Sequence, residues 1–256
     1  MSEMDGEAYA KVNSLQQMLA AQALEGLELA GDEDVLDVGC GDGLVTAAIA
    51  ARVPRGRVLG VDRSPAMIAK ANQRAADVPN LQCEVQAATA MTYKREFDLV
   101  VSFNVLHWIP EQPDVLHRIR SALRPDGRAL LAFVCEGERP SLEDVATSVT
   151  AKTDWRPYFE DWAPPYVHVQ PEAFAATAVA AGMRVAESSV SDLKWDFHST
   201  DAFAAWCRVG FVAWLERLPS DRSDEFVEEV LTDYAAVVGG PHIFAFLQLR
   251  ATLSIQ

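Results

Sequence analysis

Apolar positions change their period several times along the chain, and each change marks a predicted element. Over residues 8–29, Val12, Leu15, Leu19, Ala23, Leu24 and Leu27 recur at three- and four-residue spacing, which predicts an amphipathic helix. Tyr9, Asn13 and Gln16 share one side of it, at i, i+4 and i+7. The short apolar run Val35–Val38 predicts a strand that ends in Gly39-Cys40-Gly41-Asp42-Gly43. A helix from about Leu44 to Ala51 and a strand Val58–Val61, closed by Asp62, come next. Ser64-Pro65 opens a further helix as N-cap and first turn, running to about Ala76. Leu81–Val85 and Phe97–Phe103 read as the third and fourth strands. The latter is nearly all apolar, as a strand covered on both faces should be. Pro113–Leu123 predicts a helix, Pro125-Asp126-Gly127 a turn, and Arg128–Val134 a fifth strand.

Strands alternating with helices imply a parallel sheet with right-handed crossovers. The alternation holds to about residue 135 and then breaks. Residues 139–170 are rich in Pro, Trp and Tyr and show little period, so no element is predicted there. Pro171–Ala181 reads as a helix capped by Gly182, and Met183–Val190 as a sixth strand. Residues 200–218 and 221–238 read as two helices separated by Pro219-Ser220. Gly239-Gly240-Pro241 ends the second, and Ile243–Thr252 alternates like a last strand at a sheet edge. There is no internal repeat. The expected organisation is a single domain: an N-terminal lid helix over 1–30, a cofactor-binding core over 31–135, and further strands with a helical cap over 136–256.

Composition narrows the classes of function. Half of the 256 residues are hydrophobic and 23% are charged, which is ordinary for a globular chain. Asp and Glu outnumber Lys and Arg by 37 to 22, a net charge of −15. A surface that negative repels phosphates, so nucleic acid and anionic membranes are not expected partners. Cys40, Cys83, Cys135 and Cys207 form no C-x-x-C pair, so neither a zinc knuckle nor a redox pair is expected, and nothing marks them as disulfide partners. The acidic opening Glu3, Asp5, Glu7 is unlike a signal peptide, and no apolar stretch approaches the length of a membrane span. A reducing cytoplasm is the expected setting. Oligomeric state leaves no mark in the sequence.

The glycine turn between the first strand and its helix invites a ligand to touch backbone. A dinucleotide fingerprint needs a third glycine three residues after the second, and that position is Leu44. The stretch Asp37-Val38-Gly39-Cys40-Gly41-Asp42-Gly43 instead resembles motif I of the class I S-adenosylmethionine-dependent methyltransferases. The resemblance implies a Rossmann-like α/β sheet of seven strands, the last antiparallel, with an α-helical lid. It implies S-adenosylmethionine as cofactor and S-adenosylhomocysteine as product. By that likeness Asp37 serves the ammonium of the cofactor, and Gly39, Cys40 and Gly41 form the turn around it. Asp62 accepts from the ribose hydroxyls, and Arg63 and Met67 flank the adenine. Family members often carry an acid after the third strand. Here the matching stretch is Ala87-Ala88-Thr89-Ala90, so backbone at Ala87 or Ala88 is expected to meet the ring.

The fourth strand ends in Ser102-Phe103-Asn104-Val105-Leu106-His107-Trp108. Ligands of open parallel sheets lie outside the carboxyl ends of the strands; the family fold that the resemblance implies sets the fourth strand beside the first, which puts Phe103, His107 and Trp108 near the sulfonium. Tyr9 to Gln16 together with Leu106-His107-Trp108 resembles the juvenile hormone acid methyltransferases and their bacterial relatives, among them mycobacterial fatty acid O-methyltransferases. These methylate carboxylates. A carboxylate is ionised at neutral pH and needs no base, only alignment. The expected donors are Gln16, His107 and the Trp108 indole, with Tyr9 at the cofactor. The Trp, Tyr and Phe residues crowded between 155 and 214, without a basic cluster, point to a lipophilic acid rather than a tricarboxylate such as aconitate. A free fatty acid is the expected acceptor; the alternatives are O- or N-methylation of another small molecule, or a protein that binds the cofactor without catalysis. Arg118, Arg120, Arg124 and Arg128 read as a solvated helix face.

Overall fold

The computed structural model describes residue 15 and residues 18–256. The first helix is visible to Leu24, and a turn at Glu25-Gly26 ends it five residues before the expected boundary. Seven strands follow: β1 (Asp34–Val38), β2 (Arg57–Asp62), β3 (Leu81–Val85), β4 (Phe97–Phe103), β5 (Leu123–Val134), β6 (Met183–Asp196) and β7 (Ile243–Ile255). Between and after them lie α1 (Leu44–Arg52), α2 (Pro65–Ala75), α3 (Gln112–Ala122), α4 (Leu142–Thr150), α5 (Pro171–Ala180), α6 (Thr200–Gly210), α7 (Val212–Leu215) and α8 (Ser223–Val238). The strands form one sheet in the order β3-β2-β1-β4-β5-β7-β6. β1 to β5 pair in parallel, and β5 pairs with β7 antiparallel. This is the Rossmann-like class I methyltransferase architecture that the resemblance implies. No helix among the described residues is long and apolar enough to cross a membrane.

Local chemistry explains the elements. Ser64 accepts from the Met67 N–H at 3.3 Å and Pro65 follows as the first helical residue, so α2 starts where the sequence places it. Val35, Leu36, Leu99, Val100 and Val101 are all fully buried, which the helices covering both sheet faces require.

Five expectations need correction. β7 is not an edge strand but lies between β5 and β6. Its polar residues are tethered: Gln248 donates to Asn104 Oδ1 at 2.8 Å, and Arg250 reaches the carbonyls of Gln22, Ala23 and Glu25. The exposed edge is β6, six residues longer at its end than predicted. The turn at Pro125-Asp126-Gly127 is a bulge inside β5, where the pairing jumps from Phe97↔Leu123 to Leu99↔Arg128. Residues 142–150 are a helix after all, opened by a capping box in which Ser141 and Asp144 bond each other's backbone N–H at 2.9 and 3.0 Å. The expected helix 200–218 breaks at Phe211.

The chain divides into two compact units. One comprises residues 20–135, 168–191 and 248–256, and contains the parallel sheet. The other comprises residues 136–167 and 192–247, with the described residues up to 19. In it Trp155, Trp214, Tyr234, Phe197, Phe203 and Phe226 are fully buried, with ring contacts such as Phe197–Phe203 at 4.8 Å and Trp155–Phe226 at 5.1 Å. Much of the aromatic crowding between 155 and 214 is therefore that unit's own core. Trp162, Trp195 and Trp206 remain partly exposed.

Candidate functional site

A cleft of about 220 Å³ opens at the carboxyl ends of β1 to β4. Gly39 follows β1. Val61, Asp62 and Arg63 end β2, Gln86 and Ala88 follow β3, and Val105, Trp108 and Ile109 follow β4. Parallel strands present their carboxyl ends together, so residues distant in sequence converge there.

The glycine turn is held in a single shape. The N–H groups of Gly39 and Cys40 both donate to the Val61 carbonyl, at 2.7 and 3.0 Å. Gly39 has φ +79°, and a Cβ there would lie 2.3 Å from a Val105 methyl. Only glycine satisfies both conditions. The Asp62 carboxylate is aimed by two donors, Gly41 N–H at 3.1 Å and Ser64 N–H at 2.8 Å. Each oxygen keeps a lone pair for a further donor, as a vicinal diol would supply. Arg63 lies beside it in the cleft wall, and Val85, paired with Asp62 across β2 and β3, is 54% exposed. Met67, in the first turn of α2, is 37% exposed. These are apolar surfaces of the kind a planar base covers.

Asp37 is buried in β1 and accepts from Thr46 Oγ1 at 2.7 Å. Burial pushes its carboxyl up to about 7, and the Asp62 charge pushes the same way, against the Thr46 hydrogen bond. Among the described residues no cation offsets this charge, so the carboxylate suits a cationic ligand group. Asp37 does not itself line the 220 Å³ cleft.

His107 and Trp108 occupy a single 3-10 turn, Leu106–Trp108, anchored because Gln112 donates to the Leu106 carbonyl at 3.1 Å. Their rings are 5.1 Å apart. His107 is 3% exposed and its Nδ1 accepts from the Val134 N–H at 3.3 Å, so the ring proton resides on Nε2. Burial, with a smaller contribution from His168 whose ring lies 6.0 Å away, holds the His107 pKa down to about 3. The ring is therefore a neutral hydrogen-bond donor.

Of the residues expected from sequence, Gly39, Asp62, Arg63, Ala88 and Trp108 line the cleft directly. Gly41 enters through its bond to Asp62, and Ala87 precedes the 3-10 turn Ala88–Ala90. Phe103 ends β4 half-buried against the core. The Cys40 side chain packs in the buried cluster beside Gly60, and its thiol donates to the Gly41 carbonyl of the same turn at 3.8 Å. Tyr9 and Gln16 lie outside the described residues. Val61, Gln86, Val105 and Ile109 were missed. Gln86 is fixed by the Tyr93 hydroxyl, which donates to its Oε1 at 2.6 Å. Its position just past β3 was the available signal. The arginines are structural ties rather than a solvated face: Arg124 bridges Asp34 and Asp98 at 2.6 Å each, Arg120 bonds the Gly182 carbonyl at 3.1 Å, and Arg118 and Arg128 bond the carbonyls of Met91 and Glu28.

Residues 35–127 match the family described as methyltransferase domain. A trans-aconitate 2-methyltransferase of Variovorax paradoxus is 25% identical over 246 residues, which cover 85% of this chain and 87% of that protein. The enzyme of the same name from Methylobacterium nodulans is 31% identical over 141 residues, 55% of this chain and 54% of its own. The chain thus spans about half the length of that relative. The YcgJ protein of Bacillus subtilis has the same fold, with a TM-score of 0.64 at 17% identity over 94% of this chain and 99% of that one.

Proposed function

We propose that this chain is a class I S-adenosylmethionine-dependent methyltransferase and that it esterifies a carboxylic acid. S-adenosylmethionine is its cofactor and supplies, when bound, an electrophilic methyl group on a sulfonium. In this reading Asp62 accepts from both ribose hydroxyls, Asp37 answers the ammonium, and Met67 and Val85 cover the adenine. His107 and Trp108 donate to the two carboxylate oxygens, with Gln16 as a third donor. Their work is orientation and the exclusion of water.

The observation that carries the reading is the state of His107. A phenol or an ammonium acceptor must lose a proton before or during transfer, and the base that takes it works best with a pKa near the working pH. The His107 ring has one nitrogen filled by the Val134 N–H and the other protonated, and burial has cut its basicity to about 3. It is suited to hold an anion that is already formed.

The acid is lipophilic in this proposal, a free fatty acid or similar. A chain of charge −15 offers an anionic substrate no general attraction, and no basic cluster stands in the aromatic segment. Selection then falls to the tail, at about 0.8 kcal/mol for each buried methylene. A second reading, a short polyacid, is favoured by the name shared by the two relatives above. The two separate in one experiment: kcat/KM over straight-chain acids of graded length, with trans-aconitate and citrate alongside. A steep rise to medium chains supports the lipophilic acid. Preference for a polyacid replaces it. The four cysteines are free, which suits a reducing compartment such as the cytoplasm.

A further inference from the structure

Two of the cysteines meet across a strand that carries no side chain between them. Cys40 stands in the glycine turn after β1, and Cys83 is the central residue of β3. Between them Gly60 of β2 pairs with Cys83 on one side and Asp37 on the other. A Cβ on Gly60 would come within 2.9 Å of Cys40 Sγ and 3.0 Å of its Cβ, so the missing side chain is what lets the Cys40 thiol lie over β2 toward Cys83. Both thiols belong to one buried cluster with Ile49, Ile68 and Ala71. Each keeps 8% exposure, against 3% for Cys135 and none for Cys207. The Cys83 sulfur beside it pushes the Cys40 thiol up, and Cys40 in turn pushes Cys83 down, which makes Cys83 the better nucleophile.

We propose that Cys40 and Cys83 are a peroxide-oxidisable dithiol, and that their disulfide weakens cofactor binding by displacing the glycine turn. The inference rests on the cofactor reading of that turn and is independent of the acceptor. In the first step the Cys83 thiolate attacks one oxygen of hydrogen peroxide and the O–O bond breaks, leaving a sulfenic acid and, after protonation, water. In the second, the Cys40 sulfur attacks the sulfenic sulfur, the S–O bond breaks, and the hydroxide leaves with the Cys40 proton as a second water. Two thiols and one peroxide give one disulfide and two waters. The neighbours of Cys40 have no slack to absorb the move. Gly39 is wedged against Val105, and the Gly41 N–H is one of the two donors that aim Asp62.

The test uses the full chain, treated with hydrogen peroxide and then desalted. Intact mass and peptide mapping locate the bridge, and calorimetry with S-adenosylhomocysteine reads the site. The expected result is a loss of two mass units, a Cys40–Cys83 linked peptide, and affinity reduced on the order of tenfold or more, as for the loss of one charge-assisted hydrogen bond. Dithiothreitol should restore it. Cys83→Ser should bind S-adenosylhomocysteine like the reduced wild type and lose the response. Four free thiols after treatment, a bridge between other cysteines, or a Cys40–Cys83 bridge with unchanged affinity overturns the proposal. Failure of the reduced wild type to bind S-adenosylhomocysteine would strike the cofactor reading instead.

Discussion

Replacing Asp37 by Asn should stabilise the free protein while damaging its site. Asp37 has an ordinary carboxyl value of 3.8 and is pushed up to about 7 in the fold. Between those values the folded state holds a proton that the unfolded state has lost. Stability therefore falls as pH rises from about 4 to about 7 and is level above. Each pKa unit corresponds to about 1.4 kcal/mol, so the buried charge costs roughly 4 kcal/mol above pH 7. About half of that, some 2 kcal/mol, is lost between pH 5.5 and pH 8 by the same linkage. Asn keeps an oxygen for the Thr46 hydroxyl and carries no charge. For a chain of this length 2 kcal/mol is about 4–8 °C in melting temperature. The assay is melting of wild type and Asp37→Asn at pH 5.5 and pH 8, without ligand. Relative to wild type, the variant should gain about 4–8 °C on going from the lower to the higher pH. Its affinity for S-adenosylhomocysteine should fall by roughly tenfold to a hundredfold, the worth of one hydrogen bond to a charged group. A pH dependence identical to wild type would refute the burial argument, and unchanged affinity would remove Asp37 from the cofactor site.

Other outcomes follow from the same geometry. Asp62→Ala should weaken S-adenosylhomocysteine binding, losing two hydrogen bonds of about 1.5–3 kcal/mol each, with Asp62→Asn intermediate; calorimetry reads both. Gly39→Ala should lower the melting temperature, since a left-handed φ costs roughly 1–2 kcal/mol before the 2.3 Å clash with Val105 is added. Gly39→Ala combined with Val105→Ala should recover only part of the loss, because the Val105 Cβ stays 2.8 Å from the added methyl and the backbone strain remains. At saturating S-adenosylmethionine, where the ionisation of Asp37 no longer limits binding, the methyl-transfer rate should show no inflection near pH 6.5, because His107 titrates near 3. His107→Gln should keep more activity than His107→Ala; equal and total loss in both, with a wild-type rate rising through pH 6.5, would make His107 a base. A buried neutral histidine also binds fewer protons than the unfolded chain. His107 should therefore leave stability unaffected above pH 6.5 and reduce it progressively below.

The parallel half of the sheet was legible because β1, β2 and β4 are short apolar runs and the turns around them carry their own signatures, as Asp62 closes β2 and Ser64-Pro65 opens α2. The antiparallel half was harder for a physical reason. Polar residues in β7 suggested an exposed face, yet Gln248 and Arg250 are bonded to Asn104 and to backbone carbonyls. Alternation cannot distinguish a tethered polar residue from a solvated one. α4 was readable: Ser141-x-x-Asp144 ahead of Val145, Ala146 and Val149 is a capping box before an apolar stripe. The site divides along the same line. Asp62 and the glycines announce themselves by type and position. The Nε2 proton of His107 depends on the backbone of Val134, 27 residues away, and the meeting of Cys40 with Cys83 depends on the register of Gly60. Neither relation is written in a local pattern.

The chemistry of the product tests the central claim most directly. S-adenosylmethionine labelled in its methyl group is incubated with the protein and an equimolar mixture of a medium-chain fatty acid, a phenol and a primary amine, and the labelled product is isolated. The account predicts label in the acid fraction, released as volatile methanol in mild base, as only an ester allows, and lost in Asp62→Ala. Base-stable label on the phenol oxygen or the amine nitrogen would contradict it.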